Sequence, residues 1–179
     1  MNNYVSRSAL LLLLISIAMP ATALKTDRDQ PTTIDADRVD VNDKKGISTF
    51  SGNVVMTRGS IKMTADKITV YRDKEKGLDS VRATGNPAKY KQRPDSKQGD
   101  VTAQAKVIVY DATKATVILN KSAKVDQEGN TFTGETITYD INKDQVLANS
   151  SRTATGSGET GSGKPKQRVR ITLQPEKKP

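Results

Sequence analysis

The sequence predicts an all-β chain, an antiparallel meander or roll curled around an apolar interior, and two observations predict it. An eight-residue pattern with apolar or small residues at positions one, three, six and eight starts at Ile34, Met63, Ala103 and Phe132. The starts are 29, 40 and 29 residues apart, so the chain reads as two halves offset by 69. Turn signals recur at short intervals between these units, and alternating apolar residues fill the gaps.

Inside each unit, two alternating residues are followed by a gap of three and then two more alternating residues. A flat strand would turn the second pair to the opposite side of the sheet. All four side chains share one face only if a bulge or kink falls near Asp37, Asp66, Lys106 and Glu135, which also raises the local twist. The predicted sheet is therefore curled.

Residues 1–23 read as a secretory signal peptide. Arg7 precedes an apolar run from Ala9 to Leu14 that continues through Ile15 and Ile17, and Ala21, Thr22 and Ala23 form a small-residue cleavage site. The run is too short to span a bilayer, so Leu24 to Pro179 is expected to be exported and soluble. One domain is expected over 24–149. Its first unit carries Ile34, Ala36, Val39 and Val41; the turn Asp43 to Gly46 leads into Phe50, Val54 and Met56, interrupted at Ser51-Gly52-Asn53. Arg58-Gly59-Ser60 then turns into Ile61, Met63, Ile68 and Val70, with Arg72 in phase at the strand end. Val81, Ala83, Ala88 and Tyr90 flank the turn signal Gly85-Asn86-Pro87. The third unit supplies Ile108 and Tyr110; Leu119, Ala123 and Val125 lead to a turn at Gln127 to Asn130; the fourth supplies Phe132, Ile137 and Tyr139 before the turn Ile141 to Asp144. Residues 150–167 are rich in Ser, Thr and Gly without apolar periodicity and read as a flexible loop. Residues 168–179 read as a terminal strand, with Val169, Ile171 and Leu173 on one face, and a charged tail.

Composition narrows the chemistry. Only 34% of residues are apolar, Trp is absent and Phe occurs twice, so the core is thin, one sheet layer lining a narrow interior. The net charge of +9, lowered by one when Arg7 leaves with the signal, favours anionic partners such as nucleic acid, phosphorylated lipid or an acidic surface. Nucleic-acid modules add stacking aromatics to a basic groove, and here most aromatics sit at interior phase. No Cys means no disulfide, no thiolate catalysis and no lipid-modified Cys; no His means no imidazole base or ligand. With no S-x-x-K arrangement either, an enzyme is not expected. Gly158 to Pro165, GETGSGKP, nearly matches a phosphate-binding loop, but Pro165 stands where a Mg²⁺-binding Ser or Thr is needed and no strand and helix flank it. Asp35, Asp37, Asp40 and Asp43 lack the ligand order of a calcium loop and read as a solvated strand face. No cofactor, metal or nucleotide is expected.

The block TFSGNVVMTRGSIKMTADKITV (Thr49 to Val70), with Gln30-Pro31, ATGNPAKY (Ala83 to Tyr90) and TGETITYD (Thr133 to Asp140), resembles the OstA-like family in order and spacing over about Asp29 to Ala148, and again over Arg168 to Pro175. The resemblance implies a twisted, open antiparallel β-jellyroll in the periplasm with exposed edge strands, whose apolar interior shields the acyl chains of lipopolysaccharide between the inner and outer membranes. It also implies a head-to-tail homo-oligomer joined to an LptC-type inner-membrane protein and an LptD-type outer-membrane protein. The insertion Ser150 to Lys166 departs from the family pattern at the approach to the last strand. Lipid-lining candidates are then Ile34, Ala36, Val39, Phe50, Val54, Met56, Ile61, Met63, Ile68, Val70, Tyr90, Ile108, Tyr110, Leu119, Phe132, Ile137 and Tyr139, with Arg72 read equally as a contact for phosphate or sugar near the opening and as a solvated side chain. The same residues serve equally as plain core. Candidate partner-binding edges are Ile34, Ala36, Val39 and Val41 at one end and Val169, Ile171 and Leu173 at the other, joined by β-augmentation. The competing reading is a structural or polyanion-binding envelope protein without lipid cargo.

Overall fold

Alternating apolar residues make the strands here, and the turn residues between them set where each strand ends. The computed structural model describes residues 27–73, 75, 77–94, 99–150 and 168–175. A 3-10 turn, Asp27–Asp29, precedes β1 (Thr32–Asp35), β2 (Arg38–Asn42), β3 (Ile47–Arg58), β4 (Ile61–Asp73) and β5 (Gly77–Gln92). Then follow β6 (Val101–Asp111), β7 (Thr116–Gln127), β8 (Asn130–Asp140), β9 (Gln145–Asn149) and β10 (Arg170–Thr172). The 3-10 turn is the one helical element among the described residues, where the sequence predicts none. Residues 1–23, which read as a signal peptide, and residues 151–167 of the Gly/Ser-rich stretch with the GETGSGKP motif lie outside the described residues.

From β3 to β8 each strand pairs antiparallel with its chain neighbours, giving a single meandering sheet without crossovers. Both ends of the sheet are split strands. β1 lies along the Val55–Arg58 half of β3 and β2 along its Ile47–Ser51 half. At the far side, β10 lies along Thr131–Thr133 of β8 and β9 along Thr136–Asp140.

Every long strand breaks register near its middle, and the breaks line up across the sheet. They fall between Ser51 and Val54, Thr64 and Lys67, Thr84 and Ala88, Gln104 and Val107, and Asn120 and Ala123, the last facing Glu135 on β8. On the first strand position the break is the gap between β1 and β2, at Ala36 and Asp37. These are the kinks that the three-residue gaps predict. At Gly52 the backbone takes a φ of +82° and its carbonyl accepts the Asp37 N–H at 3.1 Å. Along this common line the sheet folds, so each strand has two arms that close over a shared interior.

The burial pattern follows from that fold. In β4, Ile61 and Met63 are buried before the kink and Ile68 and Val70 after it, so the kink switches the buried phase from odd to even. Val101, Ala103 and Ala105 against Ile108 and Tyr110 in β6 repeat the switch. Buried side chains of both arms form one apolar cluster, with Ile34, Phe50, Ala65 and Phe132 packed partly buried against it. Each fully buried Val, Leu or Ile adds roughly 1.5–3 kcal/mol.

Candidate functional site

The interior between the arms is the candidate site. Its walls are the inward faces of β3 to β8, and it opens where the sheet stops. At the β1/β2 end, Thr32, Ile34, Ser48, Phe50, Val70, Arg72 and Leu78 line a recess of about 280 Å³. Arg72 stands at its rim, its Nη2 3.2 Å from Asp43 Oδ1 and 3.5 Å from Ser48 Oγ. Val39 and Val41 face the interior by register, opposite Phe50 and Ser48, yet are 55% and 53% exposed, because among the described residues no strand pairs beyond β2. At the other end Ile171, opposite Phe132, is 54% exposed and Leu173 69%.

The arm tips meet along the side away from the fold line, and polar contacts bridge them there. Asp27 accepts the Ser60 N–H at 2.6 Å and Gln92 Nε2 at 2.8 Å, which ties the 3-10 turn to one set of tips. Arg28 Nε donates to the Ala112 carbonyl at 3.0 Å on the opposite set. The segment is thus a strap across the mouth. Farther along, Asp144 accepts from Gln127 Nε2 at 2.7 Å and from the Tyr139 hydroxyl at 3.2 Å, bridging the arms a second time.

Three tyrosines project into the interior. Tyr90 donates to Gln92 Oε1 at 2.7 Å. Burial, then the neighbouring Tyr110, Tyr139 and Asp27, push its hydroxyl well above the ordinary tyrosine value. Burial also raises Tyr139, assisted by Asp144, and raises Tyr110 against the opposing pull of Arg58 and Arg28. All three rings therefore stay neutral at physiological pH, so they present aromatic surface and a hydroxyl with no charge.

Of the sequence candidates, Val54, Met56, Ile61, Met63, Ile68, Val70, Tyr90, Ile108, Tyr110, Leu119, Ile137 and Tyr139 come together as buried wall. Ile34, Phe50 and Phe132 are half-buried at the ends. Ala36, Val39 and Val41 are exposed, so the first unit departs from the buried pattern of the other three. Val169 is half-buried and Ile171 and Leu173 are exposed on the opposite edge. Sequence reasoning missed Asp27, Arg28, Arg58, Gln92, Gln127 and Asp144. The period-two rule points to three of them: Arg58 follows Val54 and Met56 in phase, Gln92 follows Tyr90, and Gln127 follows Val125.

The outer face is chemically different. Lys62, Lys89, Lys91 and Lys124, with Thr64, Thr102, Gln104 and Asp126, surround a shallow concavity of about 520 Å³ on β4 to β7. Lys91 and Arg93 pair with Asp100 at 2.6 and 2.8 Å, and these hydrogen bonds hold its carboxyl below the usual range. Among the described residues no three carboxylates gather to hold a cation.

Residues 33–145 match the family described as LptA/(LptD N-terminal domain) LPS transport protein. The chain is 40% identical over 158 residues to the lipopolysaccharide export system protein LptH of Pseudomonas aeruginosa, covering 88% of this chain and 87% of that protein. It is 34% identical over 127 residues to the lipopolysaccharide export system protein LptA of Escherichia coli K12, covering 70% and 68%. The crystal structure of LptH, described as the LptA homologous periplasmic component of the lipopolysaccharide transport device of P. aeruginosa, superposes with a TM-score of 0.72 at 38% identity, covering 84% of this chain and 100% of that one.

Proposed function

The chain belongs to the LptA/(LptD N-terminal domain) family of lipopolysaccharide transport proteins, and on that premise we propose that it is a periplasmic component of lipopolysaccharide export whose folded sheet shields acyl chains in transit. The observation that carries this reading is one apolar cluster that extends across β3 to β8 and is left uncovered at both ends of the sheet, where Val39, Val41, Ile171 and Leu173 are exposed. Leaving an acyl chain in water costs about 0.8 kcal/mol per methylene, so a lipid with several chains needs tens of kcal/mol of shielding. Parting of the two arms over this apolar cluster would supply it.

The same open ends support head-to-tail assembly. The β1/β2 segment carries Asp35, Asp37 and Asp40 against one Arg38, whereas the β10 segment carries Arg168 and Arg170, so one copy's last edge would complement the next copy's first edge in hydrogen bonding, apolar face and charge. An LptC-type inner-membrane protein and an LptD-type outer-membrane protein with the same sheet would continue the row at either end. Residues 1–23, which read as an export signal, and the periplasmic description of LptH support the location. The lysine-rich outer face favours one rival, a protein that binds polyanions by charge alone.

Co-elution of the purified protein with lipopolysaccharide and with duplex DNA at physiological salt separates the two. Ile34 lines the open recess and is only half-buried, so Ile34→Asp should leave the fold intact and abolish lipid retention. Lipid retention indifferent to this change, or retention of DNA in its place, would return the protein to the polyanion reading.

A further inference from the structure

The mouth of the interior holds two arginines without a counter-ion. Arg58 ends β3 in phase with Val54 and Met56, so its side chain turns inward. Its Nη2 donates to the backbone carbonyl of Arg28, but its Nε and Nη1 are buried with no acceptor. Arg28 directs Nε and Nη2 to the carbonyls of Ala112 and Thr113, and Nη1 keeps its two N–H groups for another acceptor. Among the described residues neither guanidinium forms an ion pair. The nearby Asp27 carboxylate is held by Ser60 and Gln92, which leaves two positive groups against one committed negative group.

A half-buried guanidinium with two buried, unused donor atoms is costly. Both guanidiniums border a recess of about 280 Å³ with Leu78, Ala112 and Thr113, ample for a phosphoryl group against the roughly 30 Å³ share of one water molecule. The guanidinium fork matches the oxygens of phosphate better than any other side chain. Leu78 also lines the apolar recess of the β1/β2 end, so an anion seated here is continuous with the surface that would hold hydrocarbon.

We infer that Arg58 and Arg28 form an anion site that takes the headgroup phosphate of a phosphorylated glycolipid while its acyl chains lie in the adjoining interior. The inference rests on the lipid-shielding reading above and assigns one group of the ligand to one place at the mouth. The chemistry recognised is a phosphate monoester; inorganic phosphate offers the same oxygens without the chains.

The test is equilibrium binding of the full-length protein to diphosphorylated lipid A and to the dephosphorylated lipid with the same acyl chains, with inorganic phosphate titrated alone. Wild type should prefer the phosphorylated lipid by about tenfold or more, equivalent to ~1.4 kcal/mol. Arg58→Gln should erase that preference and leave affinity for the dephosphorylated lipid unchanged. Arg28→Gln, at an exposed position, should reduce the preference even if Arg58→Gln fails to fold. A preference that survives both substitutions, or equal binding of the two lipids by wild type, overturns the site while leaving the shielding reading intact. Arginine-dependent binding of inorganic phosphate without any lipid preference overturns the headgroup assignment. Failure of both lipids to bind overturns the shielding reading itself.

Discussion

Gly52 shows how single residues set the fold line. Its φ of +82° is one that L side chains resist, and a Cβ there would sit 2.2 Å from Asp37 Oδ2, which Asn53 Nδ2 already holds at 3.0 Å. Gly52→Ala should therefore destabilise the protein by about 1–3 kcal/mol, read as a lower urea midpoint with an unchanged slope. The interior tyrosines make a second residue-scale prediction. The folded hydroxyls of Tyr90, Tyr110 and Tyr139 keep their protons at a pH where unfolded tyrosine, with a pKa of about 10, releases them. Their contribution is fully present below about pH 10 and is lost as pH rises beyond it. A protein without residues 1–23 and carrying Tyr71→Phe keeps only these three tyrosines, and its tyrosinate absorbance and loss of β-sheet circular dichroism should rise together above about pH 10; independent transitions would contradict the burial of these rings. Much of this wall was legible, because hydrophobicity marks Ile68 or Tyr110 without reference to any partner. Arg58 and Gln92 were not, since a polar residue in phase signals an interior role only once the groups facing it are known.

At the scale of elements, the end strands differ from the rest. β10 is three residues long and touches only the Thr131–Thr133 half of β8. Removal of Arg168 to Pro179 should leave the monomer folded and reduce self-association, measured by circular dichroism and light scattering on the same sample. Oligomers of unchanged size would show that this edge is not the joining surface. The kinks were readable because a three-residue gap cannot keep one face on a flat strand. The exposure of Ala36, Val39 and Val41 was not, because their pattern equals that of the buried units and only the absence of a further strand distinguishes them. The 3-10 strap, three residues of Asp and Arg, carries no periodicity at all; its role comes from distant partners at Ser60, Gln92 and Ala112.

For the whole molecule, the meander makes stability graded. β4 to β7 are sandwiched between full-length neighbours, while β1, β2, β9 and β10 are short and one-sided. Amide hydrogen exchange should be slowest at Ile68, Val81, Ile108 and Leu119 and fastest in the end strands. A bound neighbour should slow the end strands selectively; uniform slowing would point to a global change in place of edge pairing. The overall architecture was legible for the same reason, since a meander needs only local pairing and its repeats declare themselves in one dimension.

The aligned kinks have a consequence for anything that moves inside. Because each successive strand from β3 to β8 repeats the same bend, the apolar interior advances about 4.8 Å per strand with its lining unbroken. A passenger moved along it would slide over apolar wall of one kind from strand to strand, and would be held most firmly where its charged group meets the arginine pair at the mouth. In a head-to-tail row, net direction would then be set at its termini, by supply at one and removal at the other.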